Sequence, residues 1–238
     1  MKILVINPNT TRSMTEKIAA AARNVSRPDT EIVATQPPSG PESIQGFLDI
    51  ARSHQGLLDE VSRFDNFDAI IVACFDDTGV DALRCLSNGP VIGIGEAAFH
   101  AATLISCRFS VVTTLARSVP GLEDNIDRYG LTRRCVGVRA ANVPVLDLER
   151  DAEEAEKLIS AEIAKAIAQD HADAIVLGCA GMADLNARLS KRFGLPVIDG
   201  VACAVTMAEA LVAAGLSTSK AGAFAGGARP PEHSSMRD

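Results

Sequence analysis

Tryptophan is absent from the 238 residues, tyrosine occurs once, and the formal net charge is −7 with no block of lysine or arginine. A nucleic-acid partner is held largely by cations that neutralise phosphates, so an acidic chain without basic clusters argues against that class. No apolar run approaches the roughly 18 residues of a membrane span. The opening Met1-Lys2-Ile3-Leu4-Val5-Ile6-Asn7-Pro8 is too short an apolar segment for a secretion signal. A cytoplasmic setting is therefore expected, with neither membrane nor nucleic acid as partner. The six cysteines, at positions 74, 85, 107, 135, 179 and 203, include no C-x-x-C pair, which excludes a thioredoxin-type motif and a zinc knuckle. In a reducing compartment they are free thiols. The four histidines, His54, His100, His171 and His233, have no metal-ligand spacing, and no P-loop or G-x-S-x-G occurs.

What is present is an alternation of short β-branched runs with longer amphipathic stretches, the pattern of parallel βα units. Strands are expected over Lys2–Asn7, Glu31–Thr35, Ala69–Cys74, Pro90–Ile94, Phe109–Thr113, Val136–Ala140, Ala174–Cys179 and Val197–Asp199. Helices are expected over Thr11–Ala22, Glu149–Gln169 and Met182–Arg192, with a last, almost wholly apolar and hence buried helix over Gly200–Ala214.

The chain also resembles itself at an offset of about 105 residues. Asp68-Ala69-Ile70-Ile71-Val72-Ala73-Cys74 lies over Asp173-Ala174-Ile175-Val176-Leu177-Gly178-Cys179, and Pro90-Val91-Ile92-Gly93 over Pro196-Val197-Ile198-Asp199. Leu4-Val5-Ile6-Asn7 matches Ser110-Val111-Val112-Thr113, and Ile32-Val33-Ala34 matches Val138-Arg139-Ala140. Four matches in one order imply an α/β fold of two pseudo-symmetric Rossmann-like domains, each a parallel sheet of roughly four strands flanked by helices, with an active site in the cleft between them. The expected first domain is 1–96 plus about 201–222, the second 97–200, and 223–238 a flexible tail.

Ligands of open α/β sheets bind beyond the carboxyl ends of the strands. Two thiols occupy equivalent places there, Cys74 followed by Phe75-Asp76-Asp77-Thr78-Gly79 and Cys179 followed by Ala180-Gly181-Met182. Cys85, Cys107, Cys135 and Cys203 read as packing residues. A thiol opening a helix faces N–H groups and the positive end of the dipole, so a lowered pKa is expected for both members of the pair. Asp76 and Asp77 read as helix caps whose charge opposes a thiolate if it points at Cys74. Thiols on opposite faces of a carbon acid suit inversion, one removing the α-proton and the other returning a proton to the far face. Donors for the developing enolate are expected from the amides at Phe75 and at Ala180 or Gly181 and from the side chains of Asn7, Thr113 and Thr114. Gly93-Ile94-Gly95-Glu96-Ala97-Ala98 matches G-x-G-x-x-A but lacks the acidic strand end of a dinucleotide site. Pro38-Ser39-Gly40-Pro41 is a turn, and Glu42–Phe47 either starts a helix or forms a flap over the cleft.

The segments Ile6-Asn7-Pro8-Asn9-Thr10-Thr11, Gly40–Gly46, Ala73–Gly79, Arg108–Thr114, Leu177–Met182 and Pro196–Gly200 together resemble the hydantoin racemase and allantoin racemase family, within the wider aspartate/glutamate racemase superfamily, up to about residue 222. The resemblance implies a cofactor-independent racemase acting at C5 of a 5-monosubstituted hydantoin, with Cys74 and Cys179 as the acid/base pair and no metal. It places substrate contacts on Asn7, Thr113, Thr114 and the amides beside the cysteines, and implies a homo-oligomer. The pocket for the 5-substituent is expected to involve Ile44, Phe47 and Phe75. Gly95 and Glu96 depart from the Cys and Gln often found in the family, which implies a differently tuned pocket. Two other readings stay open: racemisation of an acidic amino acid or decarboxylation or isomerisation of a related diacid, and a two-lobed protein that binds a small molecule without catalysis.

Overall fold

The structure, a computed structural model, describes residues 1–226. The first half runs β1 (Lys2–Ile6), α1 (Arg12–Val25), β2 (Glu31–Thr35), α2 (Phe47–Val61), β3 (Ala69–Val72), α3 (Val80–Leu86), β4 (Val91–Gly93) and α4 (Ile94–Ile105). The second runs β5 (Phe109–Thr113), α5 (Val119–Arg128), β6 (Cys135–Ala140), α6 (Asp147–Arg150), α7 (Ala152–Asp170), β7 (Ala174–Gly178), α8 (Asn186–Phe193) and β8 (Val197–Ile198), and α9 (Gly200–Ala213) follows.

Each half is a parallel four-stranded sheet, in the orders β2-β1-β3-β4 and β6-β5-β7-β8. The second order is the first with every strand replaced by its counterpart, as the internal repeat requires. In each sheet the chain leaves the central strand toward one edge and returns on its other side. The direction therefore reverses between β1 and β3 and again between β5 and β7, and the carboxyl ends at these switch points open the crevices where α/β sheets bind ligands.

Strand side chains alternate between two faces. Ile3 and Val5 of β1, Ala69 and Ile71 of β3, Phe109 and Val111 of β5, and Ala174 and Val176 of β7 all enter one core, shared by the two sheets and packed with α1, α4 and α9. The opposite face of the first sheet, with Leu4, Ile6, Ile70 and Val72, packs on Leu57, Val61, Val80 and Leu83. That of the second, with Val112, Ile175 and Leu177, packs on Ile159, Ile163 and Leu189. Phe99 of α4 lies at the junction, edge-on to Phe75 at 5.3 Å and stacked on Phe109 at 5.9 Å. Burying a side chain of that size stabilises the fold by about 1.5–3 kcal/mol, so the shared core is a strong tie between the halves.

The sheet and helix ends correct the sequence reading in detail. The ladders stop at Ile6, Val72, Gly178 and Ile198, so Asn7, Cys74, Cys179 and Asp199 lie just beyond their strands. The helix expected over Glu149–Gln169 is broken at Asp151, whose non-helical backbone (φ −138°, ψ 65°) ends α6 and whose carboxylate accepts from the Glu154 amide to start α7. The helix expected from Met182 is a 3-10 turn at Ala180–Met182 followed by α8. Only one face of α9 is buried, through Val201, Ala204, Val205 and Ala208. Its Glu209 accepts from the Arg27 amide at 2.8 Å and the Thr30 hydroxyl at 2.6 Å, which fastens α9 to the first half. Beyond α9, Thr218 donates to the Asn88 and Gly89 carbonyls and Phe224 lies against the Arg84 guanidinium, so the chain stays attached through this stretch. The tail expected over 223–238 lies outside the described residues from 227 onward.

Candidate active site

Cys74 and Cys179 each open the same kind of turn. The Asp77 amide donates to the Cys74 carbonyl at 3.0 Å, and the Met182 amide to the Cys179 carbonyl at 3.1 Å. In both turns the amide two residues on, at Asp76 or Gly181, points at the cysteine sulfur. The two turns lie at the two switch points and line one cleft, together with Asn9, Met14, Ile44, Phe75, Asp76, Thr113, Thr114, Ser118, Val145 and Ala180. The free space between them is only about 30 Å³, so the cleft is nearly closed.

Closure has an electrostatic consequence that overturns the expected pKa direction. Burial pushes the Cys179 thiol up to about 11 and raises the Cys74 thiol well above its ordinary value, because a thiolate loses its hydration there. The Asp76 carboxylate adds to the rise of both. Opposing it are the Asp76 and Gly181 amides and, for Cys179, Lys17, whose ammonium donates to the Gly181 carbonyl at 2.7 Å. No helix dipole acts as expected: α3 begins only at Val80, and a single 3-10 turn follows Cys179. In the free protein both thiols are therefore predominantly neutral.

Other site residues divide into those that face the cleft and those that support it. Thr114 and Ser118 line it, and their hydroxyls make no hydrogen bond to another described residue. Thr113 lines it too, but its hydroxyl donates to the Gly178 carbonyl at 3.0 Å. Gly181 contributes its amide to Cys179 rather than a wall of the cleft. Asn7 lies beneath the cleft rather than among the residues that line it. Its side-chain amide donates to Asn9 Oδ1 at 2.9 Å and Thr15 Oγ1 at 3.0 Å, and its own Oδ1 accepts from the Asn9 amide. Its N–H donors are taken up by the turn after β1 and by Thr15 of α1, and Asn9 is the asparagine that lines the cleft. Phe47 is a correction, since it is largely exposed and does not line the cleft. Ile44 and Phe75 do. Ile44 arrives on a loop held by the Pro41 carbonyl, which accepts from the Thr10 amide at 3.0 Å, and by Arg117 donating to Gln45 Oε1 at 2.5 Å. The stretch from Glu42 to Gly46 is thus a flap across the cleft, and α2 starts at Phe47.

Asp77 is a cap, but of a distant helix. Its carboxylate accepts from the Gly95 and Glu96 amides at 2.9 and 2.7 Å, filling the N-terminus of α4, and from the Tyr129 hydroxyl of the second half at 2.8 Å. Burial still pushes its carboxyl up to about 7. The G-x-G-x-x-A turn therefore carries a side-chain anion where a dinucleotide phosphate would sit. Gly95 has no space for a side chain, since a Cβ would lie 2.5 Å from the Phe75 carbonyl oxygen. Glu96 pairs with Arg84 at 2.6 Å and faces a different groove, so neither residue tunes the cysteine cleft as expected. That groove, about 570 Å³ between α4, α9 and residues 216–219, is larger but no thiol lines it. Of the four other cysteines, Cys135 and Cys203 are half-buried against the shared core, Cys85 is half-buried and Cys107 is exposed. Among the described residues no cluster of three His, Cys, Asp or Glu side chains fits a metal ion, and no helix is long and apolar enough to cross a membrane.

Residues 3–208 match the model of the Asp/Glu/hydantoin racemase family. The chain is 50% identical over 227 residues to a hydantoin racemase of Rhizobium meliloti, covering 94% of each chain. It is 44% identical to a hydantoin racemase of Pseudomonas sp. (strain NS671), over 92% of this chain and 89% of the relative. An allantoin racemase from Klebsiella pneumoniae has a solved structure that superposes with a TM-score of 0.94 at 44% identity, covering 97% of this chain and 95% of that one.

Proposed function

The chain belongs to the Asp/Glu/hydantoin racemase family, and from that premise we propose that it racemises 5-monosubstituted hydantoins by two-base proton transfer at C5, with Cys74 and Cys179 as the bases and no cofactor. The observation that carries the proposal is the pair of matching turns, which brings two thiols from two related sheets to one cleft.

In one direction the thiolate of one cysteine takes the C5 proton. The C5–H bond breaks and its electron pair moves into the adjacent ring carbonyl as an enolate. The thiol of the other cysteine then gives its proton to the opposite face, forming the new C5–H bond and leaving a thiolate. The mirror-image substrate runs the same steps backwards. The ring carbonyl and the heterocycle acidify C5, so the chemistry asks only for two bases and donors for the enolate oxygen. Thr114, Ser118 and Asn9 offer such donors, and Ile44, Phe75, Met14 and Val145 exclude water.

An acidic amino acid fits this cleft less well. Its carboxylates call for cations or many donor groups, whereas among the described residues the one charged side chain lining the cleft is the acidic Asp76.

The test is proton exchange in deuterated water on single-enantiomer 5-substituted hydantoins, followed by mass spectrometry and optical rotation. Wild type should incorporate one deuterium at C5 with inversion, and Cys74→Ser and Cys179→Ser should each lose inversion. Full inversion in both variants would sink the two-thiol mechanism.

A further inference from the structure

Among the described residues Asp76 is the one charged side chain lining the cleft, and the two-thiol reaction does not use it. It forms no ion pair with a described residue, and the sole hydrogen-bond contact of its carboxylate is the Cys74 sulfur at 3.9 Å. Its neighbour Asp77 shows how this fold satisfies a buried carboxylate, with two amides and a phenol. At Asp76 the backbone is fixed, since Asn125 Nδ2 donates to its carbonyl at 2.9 Å, but the carboxylate oxygens are left facing the cleft. An ionised carboxylate accepts at about four lone-pair positions, and one enclosed without donors is costly. Burial pushes the Asp76 carboxyl up to about 6, so above that pH it carries its charge and needs donors from whatever fills the cleft.

We infer that Asp76 is a specificity-determining residue, accepting two parallel N–H bonds from a ureido group on C5 and so selecting 5-ureidohydantoin over hydantoins with alkyl or aryl substituents. This rests on the hydantoin reading above. A ureido group presents an N–H and an NH₂ side by side, the same fork by which a guanidinium meets a carboxylate, and charge-assisted bonds of this kind are the strong ones. An isobutyl or benzyl group has no donor and leaves the enclosed carboxylate unpaired. Sites built around a polar group of the substrate reject analogues lacking it more strongly than apolar pockets reject a wrong size.

The experiment compares kcat/KM for 5-ureidohydantoin and 5-isobutylhydantoin in wild type, Asp76→Asn and Asp76→Ala, with thermal melts to show that each variant is folded. Wild type should favour the ureido substrate, and the ratio of the two values should fall about 10- to 100-fold in both variants. A ratio within twofold of wild type in either folded variant would overturn the assignment while leaving racemisation intact. If wild type racemises neither compound, the hydantoin reading itself fails and the assignment with it.

Discussion

Gly178 immediately precedes Cys179 and pairs with Thr113 across the sheet. A Cβ at Gly178 would lie 2.8 Å from Thr113 Cβ, 2.9 Å from its Cα and 3.1 Å from its Oγ1. Carbon atoms pack comfortably at about 3.5–4.0 Å, so Gly178→Ala forces the ends of β7 and β5 apart by roughly 1 Å. Two of the three clashing atoms cannot rotate away, being backbone or Cβ. Overpacking of this kind costs about 1–3 kcal/mol. The displacement also moves Cys179 relative to Cys74, and an error near 1 Å in a reacting group costs on the order of 100-fold in rate. Gly194 is the matched control. It caps α8 at φ +66° with nothing within 4 Å of a Cβ, so Gly194→Ala costs about 1–2 kcal/mol of backbone strain at the surface and should leave turnover unchanged. Urea unfolding followed by circular dichroism measures the stabilities, and the decay of optical rotation of one hydantoin enantiomer at saturating concentration measures kcat. If Gly178→Ala is destabilised yet turns over at the wild-type rate, the close approach of β5 and β7 does not set the position of Cys179.

Tyr129→Phe removes one of three donors to the buried Asp77 carboxylate, so a loss of about 1–3 kcal/mol is expected in urea unfolding, and no loss would mean that the phenol does not hold the halves together. With a thiolate as the proposed working base and burial placing Cys179 near 11, log kcat/KM should climb by about one per pH unit from neutral toward pH 10; a plateau already reached at pH 8 would contradict the burial argument. The same shift acts on stability with a definite sign. Cys179 ionises near 9 in the unfolded chain and near 11 in the fold, so the unfolded state binds fewer protons between those values and stability falls as pH rises, by about 2–3 kcal/mol from this thiol alone. Unfolding midpoints flat from pH 8 to 11 would contradict it. Arg117→Ala frees Gln45 and with it the flap that carries Ile44, so KM should rise a few-fold with stability changed by less than about 1 kcal/mol; an unchanged KM would show that the bridge has no part in closing the cleft.

The sheet architecture was legible because its causes are local. Runs such as Ala69-Ile70-Ile71-Val72 form a fully buried strand in any parallel sheet, and the repeated Asp-Ala-Ile signature exposed the second copy of the unit. The placement of Cys74 and Cys179 just beyond matching strands was legible for the same reason, since a strand end is a position in the local pattern. What escaped depends on contacts distant in sequence. Asp77 lies beside its own short helix α3 but caps α4, 18 residues further on, through a close approach of backbone that no local rule encodes. In Asn7-Pro8-Asn9 two identical side chains compete for the cleft, and Thr15, one turn into α1, decides by engaging Asn7. Ser118 and Val145 reach the cleft from loops after β5 and β6, with only their place beyond a strand's carboxyl end to single them out. The thiol pKa direction was misjudged because the residue type after each cysteine suggested a helix start, while enclosure by both halves governs the charge.

The two turns are alike, but their surroundings are not: Lys17 stands by Cys179, and Asp76 touches Cys74. Enantiomers have equal free energy in solution, so the Haldane relation compels kcat/KM to be identical for the two directions however lopsided the catalyst is. The imbalance must instead divide kcat and KM between the directions while their ratio stays fixed. Under the two-thiol mechanism the reactive form of the free enzyme, with one thiol ionised, exists as two tautomers, and Lys17 favours the one with its thiolate on Cys179. Each turnover converts one tautomer into the other. At high substrate, therefore, the return of the proton from one sulfur to the other can itself limit the rate, and the enzyme carries a memory of the hand of the molecule it last released.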